Sequence, residues 1–279
     1  MDIYYVNHLN ERIDLDSDNI ILQYQELYDY SWDSETVNGK IAGFYRDGVT
    51  IPVTVTVTAD TDEEYFEILE EFYSTISKDI VSVIPGRLYL GSQYLECYIS
   101  GDLKADAFMG VPIQVKNLTV VTYRPSWIRE EVRSFTPIPS GNEQDESYLD
   151  YEYDYSYDYT MPYGGDVIWN VDHFAPCEFL MTVFGPAVDP RVVINGHSYQ
   201  IYTTLDTNEY LKIDSRENIV IKYLANGIQQ DVYDLRAKQE SVFEPIMPRN
   251  VRVVWSGEFG FDLTLFCERS EPRWKTQNS

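Results

Sequence analysis

The hydrophobic pattern begins with a period of two. In Ile51-Pro52-Val53-Thr54-Val55-Thr56-Val57-Thr58, the residues Ile51, Val53, Val55 and Val57 share one face and mostly threonine fills the other, the alternation of a strand with one buried side. Pro52 brings no backbone N–H, which suits a strand start or an edge. Asn38-Gly39 and Asp47-Gly48 punctuate shorter strands upstream. The period then changes. Asp60 is the expected N-cap, acids fill the first turn, and Phe66, Leu69, Phe72, Tyr73, Ile76 and Ile80 recur at steps of three and four. This predicts one helix over about 61–80, with Glu67, Glu70 and Glu71 on its opposite, solvated face.

Strand patterns return after Pro85-Gly86. Residues 87–90, a Gly91-Ser92 turn and residues 93–100 read as a hairpin, and 111–123 as one long strand or two short ones. From Asp166 onward short strands follow at regular spacing: Glu178–Phe184, Arg191–Ile194, 198–205 after an Asn195-Gly196 turn, 210–213, Ile219–Tyr223, 251–255 and 259–266. That spacing without a helix predicts a β-sandwich. One helix among strands, with no βαβ rhythm, argues against a Rossmann or barrel enzyme fold. Between the two regions, Tyr148, Tyr151, Tyr153, Tyr155, Tyr157 and Tyr159 alternate with Asp and Glu. So charged and aliphatic-poor a stretch reads as a linker or extended loop in preference to a strand or an ordered contact arm. The expected organisation is mainly β: a first domain over 1–133, an acidic linker over 134–165 and a sandwich over 166–279.

The formal net charge is −25, unevenly spread. Residues 1–80 hold 18 acids against 4 bases, and 134–190 hold 11 acids and no base, while the rest is nearly neutral. A phosphate-gripping groove needs clustered Lys and Arg, so tight nucleic-acid binding is not expected. No run is apolar and long enough for a membrane-spanning helix, and no secretory leader is visible at the first residues. Cys97, Cys177 and Cys267 are far apart and odd in number, which reads as three small buried hydrophobes in a chain made in a reducing cytoplasm. The 24 tyrosines suit sheet faces and subunit contacts.

Chemistry is sparse. His8, His173 and His197 lack partners at ligand spacing, and His197, just after a turn, reads as a loop residue. G-x-S-x-G, P-loop and G-x-G-x-x-G motifs are absent. Neither a metal nor another cofactor is expected, nor catalysis. The alternative to an assembly role is a glycan-binding sandwich, in which Trp169, Trp255 and Trp274 would stack on sugar rings.

One resemblance orders these features. The helix after an Ile/Val strand leads into Leu88-Tyr89-Leu90-Gly91-Ser92-Gln93-Tyr94-Leu95-Glu96-Cys97 and then Arg124-Pro125-Ser126-Trp127. Later come Phe184-Gly185-Pro186 with Asp189-Pro190, and Tyr210-Leu211-Lys212-Ile213-Asp214-Ser215-Arg216. Their order resembles the distal tail proteins of long, non-contractile-tailed phages that infect Gram-positive hosts. The resemblance covers nearly all of the chain except the Tyr/Asp insert. It implies structural roles for Trp127, Gly185, Pro186, Pro190, Ile213 and Asp214. It also implies a ring of six copies at a virion tail tip, with a galectin-like second domain projecting outward. The implied partners are the tail-tube protein, a tail-associated hub protein, receptor-binding or baseplate proteins and the tape-measure protein. Ile51, Val53, Val55, Val57, Tyr89 and Tyr94 are then the expected subunit contacts. Asp14, Asp16, Asp18, Glu67, Glu70 and Glu71 are the acids expected on the lumen wall or outer surface, where a repulsive lining would let DNA slide. Such proteins usually carry Pro-Gly-Asn before a late strand. Here it is Pro248-Arg249-Asn250, so that turn is expected to be built differently.

Overall fold

A computed structural model describes residues 2–107, 111–138 and 164–274. The chain is mainly β with one α-helix and divides into two compact units, Met1–Arg129 with Glu268–Ser279, and Glu130–Cys267. The division therefore falls inside a strand and not at 133, and the final segment belongs to the first unit instead of the second. The cause is polar and local to the first unit: the Gln93 side chain brackets the Arg273 backbone, accepting from its N–H at 2.7 Å and donating to its carbonyl at 3.2 Å. Trp274 then meets Tyr28 edge-on at 4.7 Å. The Tyr/Asp alternation lies outside the described residues.

The first unit contains β1 (Ile3–Val6), β2 (Arg12–Asp14), β3 (Ile20–Gln25), β4 (Asp33–Val37), β5 (Lys40–Tyr45), β6 (Val49–Thr58), α1 (Asp62–Ser82), β7 (Gly86–Leu90), β8 (Gln93–Ala107) and β9 (Ile113–Thr122), and ends with the start of β10 (Trp127–Phe135). Strand β8 serves two sheets. Its first residues pair with β7, which continues to β1 and then β2, while Tyr98 to Ala107 pair with β9, which continues to β6 and then β3. Register shifts between Ile99 and Gly101 and between Lys104 and Asp106 mark β-bulges, each an extra residue that bends a strand and increases its twist. One core joins Tyr5, Leu88, Leu95, Val55, Val57 and Leu118 to Phe72 and Ile76 of the helix.

Thr61, not Asp60, caps α1: its hydroxyl accepts from the Glu64 N–H at 3.2 Å, and the Glu64 carboxylate returns a bond to the Asp60 N–H at 3.2 Å. The buried stripe is also displaced from the aliphatic one. Phe72, Thr75, Ile76 and Asp79 face inward, while Phe66 and Ile80 are exposed. At its far end the helix stops at Val83 in the left-handed region, φ 54°. Glycine usually fills this position because a branched side chain crowds the following carbonyl.

In the second unit, β11 (Gly165–Val171), β20 (Arg249–Trp255), β14 (Arg191–Ile194) and β15 (His197–Gln200) form one sheet. The facing sheet runs β19 (Gln229–Asp231), β18 (Ile219–Tyr223), β17 (Tyr210–Asp214), β12 (Glu178–Phe184) and β21 (Phe261–Arg269). Val171, Val192, Val251 and Val253 from the first share a core with Phe179, Met181, Leu211, Ile213 and Leu263 from the second, so the unit is a β-sandwich. Asn195-Gly196 makes the expected tight turn, with φ 52° and 87°. The strand expected over 198–205 is broken, and Thr204–Leu205 (β16) pairs instead with Ala187–Val188 (β13). His197 opens β15 and is not a loop residue. Arg249 adopts φ 79°, so the Pro-Arg-Asn turn takes the conformation that glycine adopts freely instead of avoiding it.

Val83 and Arg249, which lack the short polar side chain that lets Asn or Asp take this conformation cheaply, thus hold left-handed backbone at about 1–2 kcal/mol each. Val83→Gly and Arg249→Gly are each expected to raise unfolding stability by about 1 kcal/mol in urea titrations; a loss at either site would show that the side chain's contacts outweigh the strain.

Candidate assembly surfaces

Strands β4 and β5 form a ribbon that pairs with no other described strand. Its turn, Asn38-Gly39, has φ 52° and 74°. The register opposes Val37 to Lys40, Thr36 to Ile41, Ser34 to Phe44 and Asp33 to Tyr45. By alternation, Ile41 and Phe44 lie on one face, and Val37 and Tyr45 on the other. These four side chains are 49–61% exposed, and Trp32 at the base is 50% exposed. A lone two-stranded ribbon is marginal in water, and here both faces present large apolar groups and both edges unpaired backbone.

At the ribbon's root lies an open pocket of about 450 Å³, lined by Glu26, Asp29, Asp33, Asp47 and Arg46 among others. The Arg46 guanidinium sits 5.4 Å from the Trp32 ring centre, and its Nη1, out of solvent, has no hydrogen-bond partner. Burial pushes this guanidinium below its ordinary range, partly opposed by Tyr30. An arginine held without a carboxylate partner beside four acids leaves an unused donor next to the ribbon.

The expected contact residues lie elsewhere. Val53, Val55 and Val57 are at most 1% exposed and Ile51 is buried too, because this face of β6 packs into the core with Phe72 and Ile76 of α1, and both edges of the strand are paired, by β3 and β9. Their regular alternation reports an internal core face. Tyr94 is also buried, beneath the Arg87 guanidinium at 4.4 Å, and Tyr89 stacks on Tyr4 at 4.8 Å. Asp14, Asp16, Asp18, Glu67, Glu70 and Glu71 are all exposed. Trp127 is buried and donates from Nε1 to the Leu27 carbonyl at 3.3 Å. Gly185-Pro186 is a cis peptide, Pro190 and Ile213 are buried, and the Asp214 carboxylate accepts from the Arg216 N–H at 2.9 Å. The tryptophans proposed for sugar stacking are used otherwise. Trp169 and Trp255 belong to the sandwich core, Trp255 donating to the Phe259 carbonyl at 3.1 Å, and Trp274 packs on Tyr28 in the other unit.

Two polar networks escaped sequence reasoning. Asp79 of α1 is fully buried. It accepts from the Tyr5 hydroxyl at 2.5 Å and the His8 N–H at 2.9 Å, with His8 Nδ1 at 2.5 Å. Burial, then the bond to Asp79, pushes the Tyr5 phenol far above its ordinary range. Gly86 leaves room for this cluster, since a Cβ there would lie 2.3 Å from the Tyr5 oxygen. At the middle of the helix, the fully buried Lys116 ammonium donates to Tyr73 at 2.5 Å, Asp102 at 3.0 Å and Gln114 at 3.1 Å, and Tyr73 bonds Asp102 as well. Each network ties α1 to strands distant in sequence, and every charge has an opposite or hydrogen-bonding neighbour. Among the described residues no group of three or more His, Cys, Asp or Glu is gathered as a metal site, and no helix is long and apolar enough to cross a membrane.

No protein-family model and no curated protein matches the sequence. The fold does have counterparts, and they belong to phage tail hub and baseplate structures. The crystal structure of the phage SPP1 Dit protein, described as a paradigm of hub adsorption apparatus in Gram-positive-infecting phages, is similar with a TM-score of 0.59. It is 12% identical, over 96% of this chain and 98% of that one. A chain of the phage P2 baseplate in its activated conformation with Ca is similar with a TM-score of 0.61 at 10% identity, over 97% and 99% of the two chains.

Removing one member of a buried ion pair strands the other. Lys116→Met is expected to cost about 3–5 kcal/mol in urea unfolding, and the double variant Lys116→Met/Asp102→Leu to lose distinctly less. A double variant as unstable as the single one would mean that Lys116 acts through packing alone.

Proposed function

We propose that the protein is a structural component of a phage tail tip, a distal tail protein whose first unit closes into a ring around a DNA channel. The observation that carries this reading is that the fold similarity runs end to end through both units, so it does not rest on a common sandwich alone. The similar solved structures are a phage hub protein and a phage baseplate, which favours a structural, non-enzymatic role. On this reading the ring joins the tail tube to a hub protein, and the galectin-like second unit is a platform for receptor-binding or baseplate proteins. The virion is its location.

The ribbon supports the ring. Repeated head-to-tail docking of one surface onto a different one closes a ring when the rotation allows it. The β4–β5 ribbon offers such a surface, and the first unit carries a second, unlike one at the end of α1. There Leu9, Val81, Val83 and Ile84 are 48–83% exposed, and the last helical turn has no basic residue to meet its carbonyls. Lys40 at the ribbon turn supplies that missing cation beside Val37 and Ile41. The subunit contact therefore moves from β6 to β4–β5. The exposed acids Asp14, Asp16, Asp18, Glu67, Glu70 and Glu71 are the groups proposed to keep the wall repulsive to DNA.

Light scattering of the purified full chain at rising salt tests the reading, because salt screens the repulsion between copies that each carry −25. The expected result is a hexamer at or above about 0.15 M salt. Ile41→Ser/Phe44→Ser should weaken it by about a hundredfold or more in concentration, since each lost apolar contact is worth about 1.5 kcal/mol or more. A wild-type monomer at all salt concentrations overturns the ring. A hexamer indifferent to the double substitution overturns the ribbon as its contact.

A further inference from the structure

Cys177 and Cys267 stand 90 positions apart in the chain, yet their sulfur atoms lie 3.7 Å apart in the second unit, both out of solvent. Their placement is set by the ladder. Strands β12 and β21 pair with Glu178 opposite Phe266 and Phe179 opposite Leu265; one further step along the register sets Cys177 opposite Cys267. The Cys177 N–H and carbonyl both bond Ile246, at 2.9 Å each, and two residues on the Phe179 carbonyl accepts from the Ser215 N–H at 3.0 Å. Both residues thus direct their backbone groups away from β21. Cys177 and Cys267 therefore occupy a non-hydrogen-bonded cross-strand position, where α-carbons approach to about 4.5 Å and side chains are closest. That spacing lies within the range a disulfide spans without backbone movement, about 4.4–6.8 Å between α-carbons.

We infer that Cys177 and Cys267 form a dithiol that closes into a cross-strand disulfide when the protein meets a peroxide-class oxidant. One thiolate attacks a peroxide oxygen, breaking the O–O bond and forming a sulfenic acid with release of water. The second thiol attacks that sulfur, forming the S–S bond and expelling the second water. The pair loses two electrons and two protons, and one hydrogen peroxide becomes two waters. The new bond fastens β12 to β21 where β21 leaves the second unit, and closes a long loop of the sandwich. Its effect is stabilisation of that unit after release into oxidising surroundings. Cys97 is an internal control: it lies in the core of the first unit, where burial pushes its thiol far above the ordinary range, and neither of the other two cysteines belongs to that core.

The test uses the full chain, exposed to dilute hydrogen peroxide and then alkylated under denaturing conditions. Intact mass should show a loss of about 2 Da with a single alkylated cysteine, and peptide mapping should place the link between Cys177 and Cys267. The thermal midpoint should rise by about 5–15 °C and return on reduction. Cys177→Ser and Cys267→Ser should each remain folded by circular dichroism and lose both the mass change and the rise. Three alkylable thiols after oxidation, a link that includes Cys97, or a cross-link without any rise in midpoint would each overturn the inference.

Discussion

A single strand taking part in two sheets is the constraint on which the first unit depends. Strand β8 continues past the point where a flat strand would leave its first partner, and the bulges after Ile99 and Lys104 turn it towards β9. The two sheets can then share one core and one helix. Because α1 must lie against β8, its inner face receives polar anchors as well as hydrocarbon: Asp79 reaches Tyr5 and His8, and Tyr73 reaches Lys116 and Asp102. A helix held at its middle and near its C-terminal end by bonds of this kind is fixed in register as well as pressed onto the sheet.

The ribbon β4–β5 sets the opposite problem. No described strand pairs its edges, and Ile41 and Phe44 on one face and Val37 and Tyr45 on the other remain in water. A monomer gains little from such an arm, and its exposure favours association. The high negative charge works against association at low ionic strength. The two effects together favour assembly where salt or partners screen the acids, as the proposed ring requires.

Much of this was legible in the sequence. The alternation of Ile51 to Thr58, the helix, the Asn195-Gly196 turn and the sandwich strands follow from local periodicity and turn chemistry, which are written in adjacent residues. Whether a strand is central or an edge is not. The valines of β6 look the same in either place, and only long-range pairing buried them. The ribbon was foreshadowed only by Asn38-Gly39, because its short strands mix charge with apolar residues on both faces. The Gln93–Arg273 bracket, the Lys116 cluster and the Cys177–Cys267 neighbourhood join residues far apart in the chain, and no spacing signals them. The Val83 and Arg249 backbones break the glycine preference on which such reading relies.

The most direct test of the central claim is amide hydrogen exchange across Asp33–Tyr45, measured on the full chain when dilute and when concentrated at the same salt. If the ribbon is the subunit contact, its amides exchange freely in the dilute protein and become strongly protected on assembly, while the β6 amides are protected in both. Assembly that leaves 33–45 exchanging as fast as before would contradict it.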